Sequence, residues 1–310
     1  MTIRRTVVRA PASVGNVGPG FDVLGLAIEG IGITVTLTPD DSGPRVGDIR
    51  GLDAELIPTD NERNSVIAAA LVVFERAGVT PTFRVDIENE LPFSGGLGGS
   101  ATAAVAGAGA ALASLGRDID VITVMECALE AEEKHSGLHL DNIASAALGG
   151  LTFTLDAATV DAGRVPVAED WYVALVTPRA RVVTREARSI LAESSPRSLW
   201  VKQMAKSVAL VHAFAVGDAD LVRRALDDEF AERARSSLVP GFAAIKAAAL
   251  ESGALGSSIS GSGPTIFAIA EDEVTATTVM QAMAEAAGGN PALARVCAIA
   301  EQGVHEIDDL

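Results

Sequence analysis

Aromatic side chains are scarce in this chain: Phe, Tyr and Trp together make up 4% of it, with a single Tyr. A core must then be filled by Ala, Val, Leu and Ile, and the 48% hydrophobic content is enough to do so. Cysteine is nearly absent. Cys127 and Cys297 lie on apolar patterns and read as small core residues, which excludes a disulfide framework. There are four His and no H-E-x-x-H pairing, which argues against zinc. No apolar run reaches the length of a membrane span, and the first five residues lead straight into a strand-like segment, which implies a soluble, cytoplasmic protein. Basic residues are outnumbered, 24 Lys and Arg against 41 Asp and Glu, for a net charge of −17. That field repels nucleic acid and anionic membranes, so neither is expected as a partner. Any site for an anionic ligand must concentrate its few cations locally. At 310 residues, without an internal repeat, the chain allows one large domain or two of ordinary size.

What the chain has in one place is glycine. Pro92-Phe93-Ser94-Gly95-Gly96-Leu97-Gly98-Gly99-Ser100-Ala101-Thr102 holds four glycines and two serines in eleven residues. It lies between a strand-like stretch, 82–88, and a run of small residues, 101–115, that reads as a helix. Glycine lets backbone wrap closely around a ligand and take φ > 0. A helix starting just after such a loop presents free N–H groups and the positive end of its dipole. Together these make a phosphate cradle; the other reading is a plain glycine-rich turn. The Ala- and Gly-rich helix favours the cradle, because it can pack closely and hold its N-terminus rigidly. The loop is not G-x-x-x-x-G-K-[ST], since no Lys follows Gly98 or Gly99, and it does not fit G-x-G-x-x-G.

In chain order, residues 6–9 and 31–37 alternate as strands, and 10–25 reads as an ordered loop anchored by Phe21, Val23 and Leu24. Asn16 and Asp22 are its strong polar groups besides Ser13, and either could be a turn former. Asn64 stands where an N-cap would open a helix ending at Gly78. A further helix, 121–134, buries Val121, Val124, Met125, Ala128 and Leu129; Glu130 sits at the edge of that stripe, with Glu132 and Glu133 expected to face solvent. Glu130 is either an exposed marginal residue or a hard oxygen ligand for Mg²⁺. Residues 134–137 read as an enlarged turn, 148–154 as a turn into a strand and 157–170 as a linker. A strand at 171–176 is followed by helical stretches at 185–191, 198–216, 219–235 and 242–251. Arg188 and Arg235 lie here, as surface residues or as a carboxylate clamp. Residues 256–268 read as a hairpin with a generous Gly/Ser loop, and 274–287 and 295–300 as a helix and a closing strand. The pattern is α+β, with a boundary between 155 and 170 that divides the chain into 1–160 and 161–310.

Three motifs, in order, resemble those of the GHMP kinases, the superfamily of galactokinase, homoserine kinase, mevalonate kinase and phosphomevalonate kinase. Residues 92–102 resemble P-x-x-x-G-L-G-S-S-A, with Gly99 standing where a Ser is usual and Ser100 keeping the second Ser. Residues 11–25 look like P-A-S-x-x-N-x-G-x-G-F-D-x-L-G, the first motif of homoserine kinases. The string Ser260-Gly261-Ser262-Gly263-Pro264-Thr265 looks like the third motif. His139, Asp141 and Asn142 match H-x-D-N; Thr184, Ala187 and Arg188 match T-x-x-A-R; Arg235 precedes Pro240-Gly241-Phe242 as an Arg does in homoserine kinases.

The resemblance implies a ribosomal S5 domain 2-like N-terminal half with a left-handed β-α-β crossover, and a ferredoxin-like C-terminal half. It implies transfer of the ATP γ-phosphoryl group to the side-chain hydroxyl of L-homoserine, a step toward threonine. ATP would lie on Pro92, Ser94, Gly95, Gly96, Leu97, Gly98, Gly99, Ser100, Ala101 and Thr102, with Asn64 near the adenine and Mg²⁺ on Ser100 and Glu130. L-Homoserine would meet Asn16, Asp22, His139, Asn142, Thr184, Arg188, Arg235 and Gly261, with Asp141 and Asn142 placing the hydroxyl. The resemblance leaves a homodimer open. Two other readings stand: a sister kinase for another small alcohol such as mevalonate, and a non-catalytic ligand-binding regulator.

Overall fold

The computed structural model describes residues 3–308, with the side chains of 134–136 left aside. The strands are β1 (Thr6–Gly15), β2 (Leu24–Pro39), β3 (Arg45–Gly51), β4 (Phe83–Asn89), β5 (Leu151–Asp156), β6 (Asp161–Val165), β7 (Tyr172–Thr177), β8 (Gly256–Ile259), β9 (Ile266–Ala270), β10 (Leu293–Ala298) and β11 (His305–Glu306). The helices are α1 (Ser65–Arg76), α2 (Gly99–Ser114), α3 (Val121–Ser136), α4 (Asp141–Leu148), α5 (Thr184–Ser189), α6 (Arg197–Val216), α7 (Ala219–Ala225), α8 (Ala231–Arg235), α9 (Phe242–Glu251) and α10 (Glu273–Ala286).

The strands form two sheets, and the mixture is α+β as expected. A seven-stranded sheet runs β11-β1-β2-β4-β3, with β5 joined to β2 and β6 to β5. Its one parallel pair, β3 with β4, is the crossover through α1. A four-stranded antiparallel sheet runs β10-β7-β9-β8. β6 pairs with β5, so a division at 160/161 passes through a hairpin, and β11 brings the C-terminal segment back beside β1.

Four sequence expectations are corrected here. Residues 10–15 continue β1 instead of opening a loop: Pro11 falls at the register shift where β2 accommodates extra residues, so the missing N–H is tolerated. Residues 134–136 continue α3 up to Gly137, where φ is 85°, instead of forming an enlarged turn. The stretch 219–235 is two helices, α7 and α8, and the linker contains β6.

Packing explains the composition. α2 sits at the centre of the larger core, against α1, α3 and α4 and against β1 and β2. It can do so because its buried face is Ala and Gly: a Cβ on Gly107 would strike the Val66 carbonyl of α1. β7 is covered on both sides. Val173 and Leu175 join the larger core, while Ala174 and Val176 pack with Ile245 and Ala249 of α9 and Val279 and Met283 of α10. Burial on both faces is why that strand reads as an unbroken apolar run.

Candidate active site

Most of the expected site residues line one cavity of about 350 Å³, open to solvent. Leu97, Thr102 and Glu130 do not line it. Leu97 is buried in the core, and Thr102 is fully buried with its hydroxyl donating to Pro11 O at 3.3 Å.

The glycine-rich loop is held from behind by the Gly/Ser hairpin loop. Thr265 donates to Gly95 O through both its hydroxyl, at 2.5 Å, and its backbone N–H, at 3.1 Å. Ser260 Oγ donates to Gly96 O at 2.6 Å. Gly98 opens α2 with φ 68°, and a Cβ there would be driven into Ser13 Oγ and to 2.9 Å from Asn142 Oδ1. Among the described residues Gly99 has only Leu91 Cδ1 in range, at 3.9 Å, so a side chain fits there. The Gly95 N–H bonds Pro92 O and the Thr102 N–H bonds Gly98 O, so neither is offered to a ligand. The N–H groups of Gly99, Ser100 and Ala101 are those that the first turn of α2 leaves without helical partners.

Beside this helix terminus the acid is Glu132, not Glu130. Ser100 Oγ donates to Glu132 Oε2, and Ser65 Oγ donates to Oε1 at 2.8 Å, so α1, α2 and α3 meet at one carboxylate. Glu130 lies outside, half exposed, and pairs with Arg76 at 2.8 Å. Glu132 stands four residues after Ala128 and seven after Met125, so it continues the buried stripe; Glu130 stands four after Glu126, which shares Arg76. That spacing was the available signal for Glu132. Ser65, at the first turn of α1, carried no such signal.

Asn64 lines the cavity, but its carboxamide is committed to the protein. Oδ1 accepts from Val66 N and Ile67 N as the cap of α1, and Nδ2 donates to Pro58 O at 2.8 Å. It shapes the pocket through the helix it starts.

At the other end, Asp22 receives Arg188 Nη1 at 2.9 Å and Nη2 at 2.8 Å, and His139 Nδ1 lies 3.8 Å away. Asp22 sits at φ 57° and Asn16 at φ 68°. Asn16 accounts for that turn: Oδ1 accepts the Asp22 N–H at 3.0 Å and Nδ2 donates to Gly261 O at 3.2 Å. Arg235 is buried, donating Nε to Ala187 O at 3.1 Å and Nη1 to Gly261 O at 2.8 Å. Both arginines lie over the Phe21 ring, 5.6 and 5.2 Å from its centroid. Thr184 Oγ1 lies 3.5 Å from Ser262 Oγ at the rim.

Burial pulls the Arg235 guanidinium down, as does its neighbour Arg188. Burial also lowers His139, again with Arg188 adding, so the imidazole is neutral at pH 7. Asp141 moves the other way: full burial, with the Asp22 charge second, pushes its carboxyl up to about 6. Among the described residues its Oδ1 has no hydrogen-bond partner, and neither does Arg188 Nε; these are buried polar atoms on cavity-lining residues. One is an acceptor and the other a donor. Asn142 is fixed between the two ends, donating to Asp141 Oδ2 at 3.3 Å and accepting from Ser13 Oγ at 2.9 Å.

The fold and this loop define a class. Residues 64–150 match the family model described as GHMP kinases N terminal domain, and 210–289 match GHMP kinases C terminal. A homoserine kinase of Chloroherpeton thalassium is 38% identical over 291 residues, 89% of this chain and 90% of that protein. One of Pyrococcus abyssi is 37% identical over 266 residues, 86% of this chain and 87% of its own length. The crystal structure of homoserine kinase from Cytophaga hutchinsonii superposes with a TM-score of 0.92 at 35% identity, covering 98% of this chain and 97% of that one. L. major mevalonate kinase, at 16% identity and a TM-score of 0.74, covers 95% of each chain and shares the fold. The chain belongs to the GHMP kinase family, and within it to the homoserine kinases.

Proposed function

We propose that this protein transfers the γ-phosphoryl group of ATP to the side-chain hydroxyl of L-homoserine, giving O-phospho-L-homoserine. The observation that carries the reading is that one cavity joins an anion-binding helix terminus to a set of side chains with an acid and two arginines around it. ATP would lie with its phosphates at the N-terminus of α2, against the N–H groups of Gly99, Ser100 and Ala101. The substrate's ammonium would meet Asp22, and its carboxylate the donors of Arg188 and Arg235. A zwitterion with a hydroxyl two carbons away matches this charge order; mevalonate has a carboxylate and no ammonium.

Asp141 Oδ1 is the acceptor toward which the hydroxyl would turn, held in place by Asn142. Phosphoryl transfer rests chiefly on positioning and charge stabilisation, so aligning the hydroxyl is the larger part of this task. With its carboxyl near 6, Asp141 is mostly ionised at pH 7 and can accept that proton's hydrogen bond. The oxygen-only set of Ser100 and Glu132 fits a hard divalent cation, so we assign Mg²⁺ to them. When bound, Mg²⁺ supplies countercharge to the phosphates. The same reading puts the protein in the cytoplasm with its two substrates; no helix among the described residues is long and apolar enough to cross a membrane.

Incubation with ATP and L-homoserine, followed by mass analysis, tests this: O-phospho-L-homoserine is expected. ATP consumption without that product would refute the reading.

A further inference from the structure

The loop bearing Asp22 and the helix bearing Arg235 come from distant parts of the chain, yet both are tied to one buried carboxylate, Asp228. Its Oδ1 accepts from Phe230 N at 2.8 Å and Ala231 N at 3.0 Å, and its Oδ2 from Glu232 N at 2.9 Å, so it fixes the start of α8. The same Oδ1 also accepts from Gln203 Nε2 at 2.8 Å. Gln203, buried on α6, spends the other proton of that amide on Pro19 O at 3.0 Å. Ser207 Oγ, one turn further along α6, lies 2.8 Å from the same carbonyl. Phe230 then meets the loop a second time, its ring edge-on to Phe21 at 5.4 Å.

We infer that Gln203 and Asp228 are positioning residues that set the distance between Asp22 and Arg235. This rests on the proposed reaction only for which ligand registers the distance. Neither residue lines the cavity, so neither touches substrate. A neutral two-proton donor suits position 203. Two acceptors, the Pro19 carbonyl and the Asp228 carboxylate, face one group, and the amide NH₂ donates one proton to each without adding a charge. A Glu there would set carboxylate against carboxylate; a Met would fill the space and donate to neither. Loss of the Gln203 tie leaves Pro19, three residues before Asp22, held at its carbonyl by Ser207 instead of by two donors, and cuts the link from that carbonyl to Asp228. The ammonium and carboxylate sites would then drift apart, and the phosphate end, held by Thr265 and Ser260, would not.

The test is Gln203→Met in the full-length protein, read in two ways. Without ligand, hydrogen exchange of the amides in residues 16–22 is expected to speed up about tenfold while α2 is unchanged. In turnover, KM for L-homoserine is expected to rise about tenfold, with KM for ATP within twofold. Ser207→Ala, a milder change at a half-buried position, should move both readouts the same way by about threefold, and it decides the matter if Gln203→Met does not fold. Unchanged exchange in 16–22 in a folded variant overturns the inference, as does a KM rise shared equally by ATP. The exchange measurement needs no substrate, so it still judges the positioning claim if wild-type protein proves inactive on homoserine.

Discussion

Asp22 and Arg188 face each other two oxygens to two nitrogens, at 2.8 and 2.9 Å, although 166 residues separate them. The pair joins the two halves of the chain, and in the proposed reaction Asp22 would meet the ammonium and Arg188 the carboxylate. Removing one member of such a pair leaves the other uncompensated, a cost of about 2–5 kcal/mol when both are fully desolvated. Each side chain here keeps nearly a third of its exposure, 29% and 30%, so the lower end applies. Asp22→Asn is expected to lower kcat/KM for L-homoserine by roughly thirtyfold and to leave KM for ATP within twofold. Steady-state kinetics with each substrate varied in turn would show it.

Glu132 and Glu130 differ by two positions and by opposite surroundings. Glu132→Gln is expected to reduce kcat at least about a hundredfold and to weaken the Mg²⁺ dependence of turnover, with the fold retained. Glu130→Gln removes only an exposed pair with Arg76, so turnover should match wild type and stability should change by less than about 1 kcal/mol. Equal loss in the two variants would contradict the assignment of the metal to Ser100 and Glu132.

The phosphate loop gives a paired contrast. Gly98→Val combines a strained left-handed φ with a clash against Ser13 and Asn142, and should weaken ATP binding by tenfold or more. Gly99→Ser meets open space and should bind ATP as wild type does. Calorimetric titration with ATP separates them.

Asp141 links activity to stability. Its folded pKa, near 6, lies above the ordinary 3.8, so the folded state holds the proton more tightly than the unfolded one. Its contribution to stability is therefore greatest below about 4 and is lost as pH rises through about 6. The span corresponds to about 3 kcal/mol. Asp141→Asn should become progressively more stable than wild type between pH 4 and 6.5, a gap that urea unfolding at several pH values would measure. In wild type, kcat should fall on the acid side with an apparent pKa near 6. A stability gap independent of pH would contradict this.

Much of the site was legible because its local signals were strong. The Gly/Ser loop, the N-D pair of 16–22 and the terminal Gly/Ser hairpin each dictate backbone shape, and backbone shape is a local property. Asn64 was legible as a cap for the same reason. What escaped was set by tertiary packing. Residues 10–15 look like loop because Pro11 and Gly15 discourage strands, yet sheet pairing on both sides of β1 overrides that preference. A buried stripe that ends at Leu129 makes Glu130 its edge; carried on by three residues from Leu129, or four from Ala128, it selects 132. Gln203 and Asp228 offered no pattern at all, since a hydrogen-bond chain across α6, the loop and α8 exists only once they are brought together.

Substrate choice tests the central claim most directly. Initial rates of ATP-dependent ADP formation should be compared for L-homoserine, L-threonine, mevalonate and galactose under identical conditions. The charge order of Asp22, Arg188 and Arg235 predicts a kcat/KM for L-homoserine at least tenfold above any of the others, with mevalonate and galactose near background. Faster turnover of mevalonate, or ADP formation indifferent to added homoserine, would contradict the account even with the kinase fold unchanged.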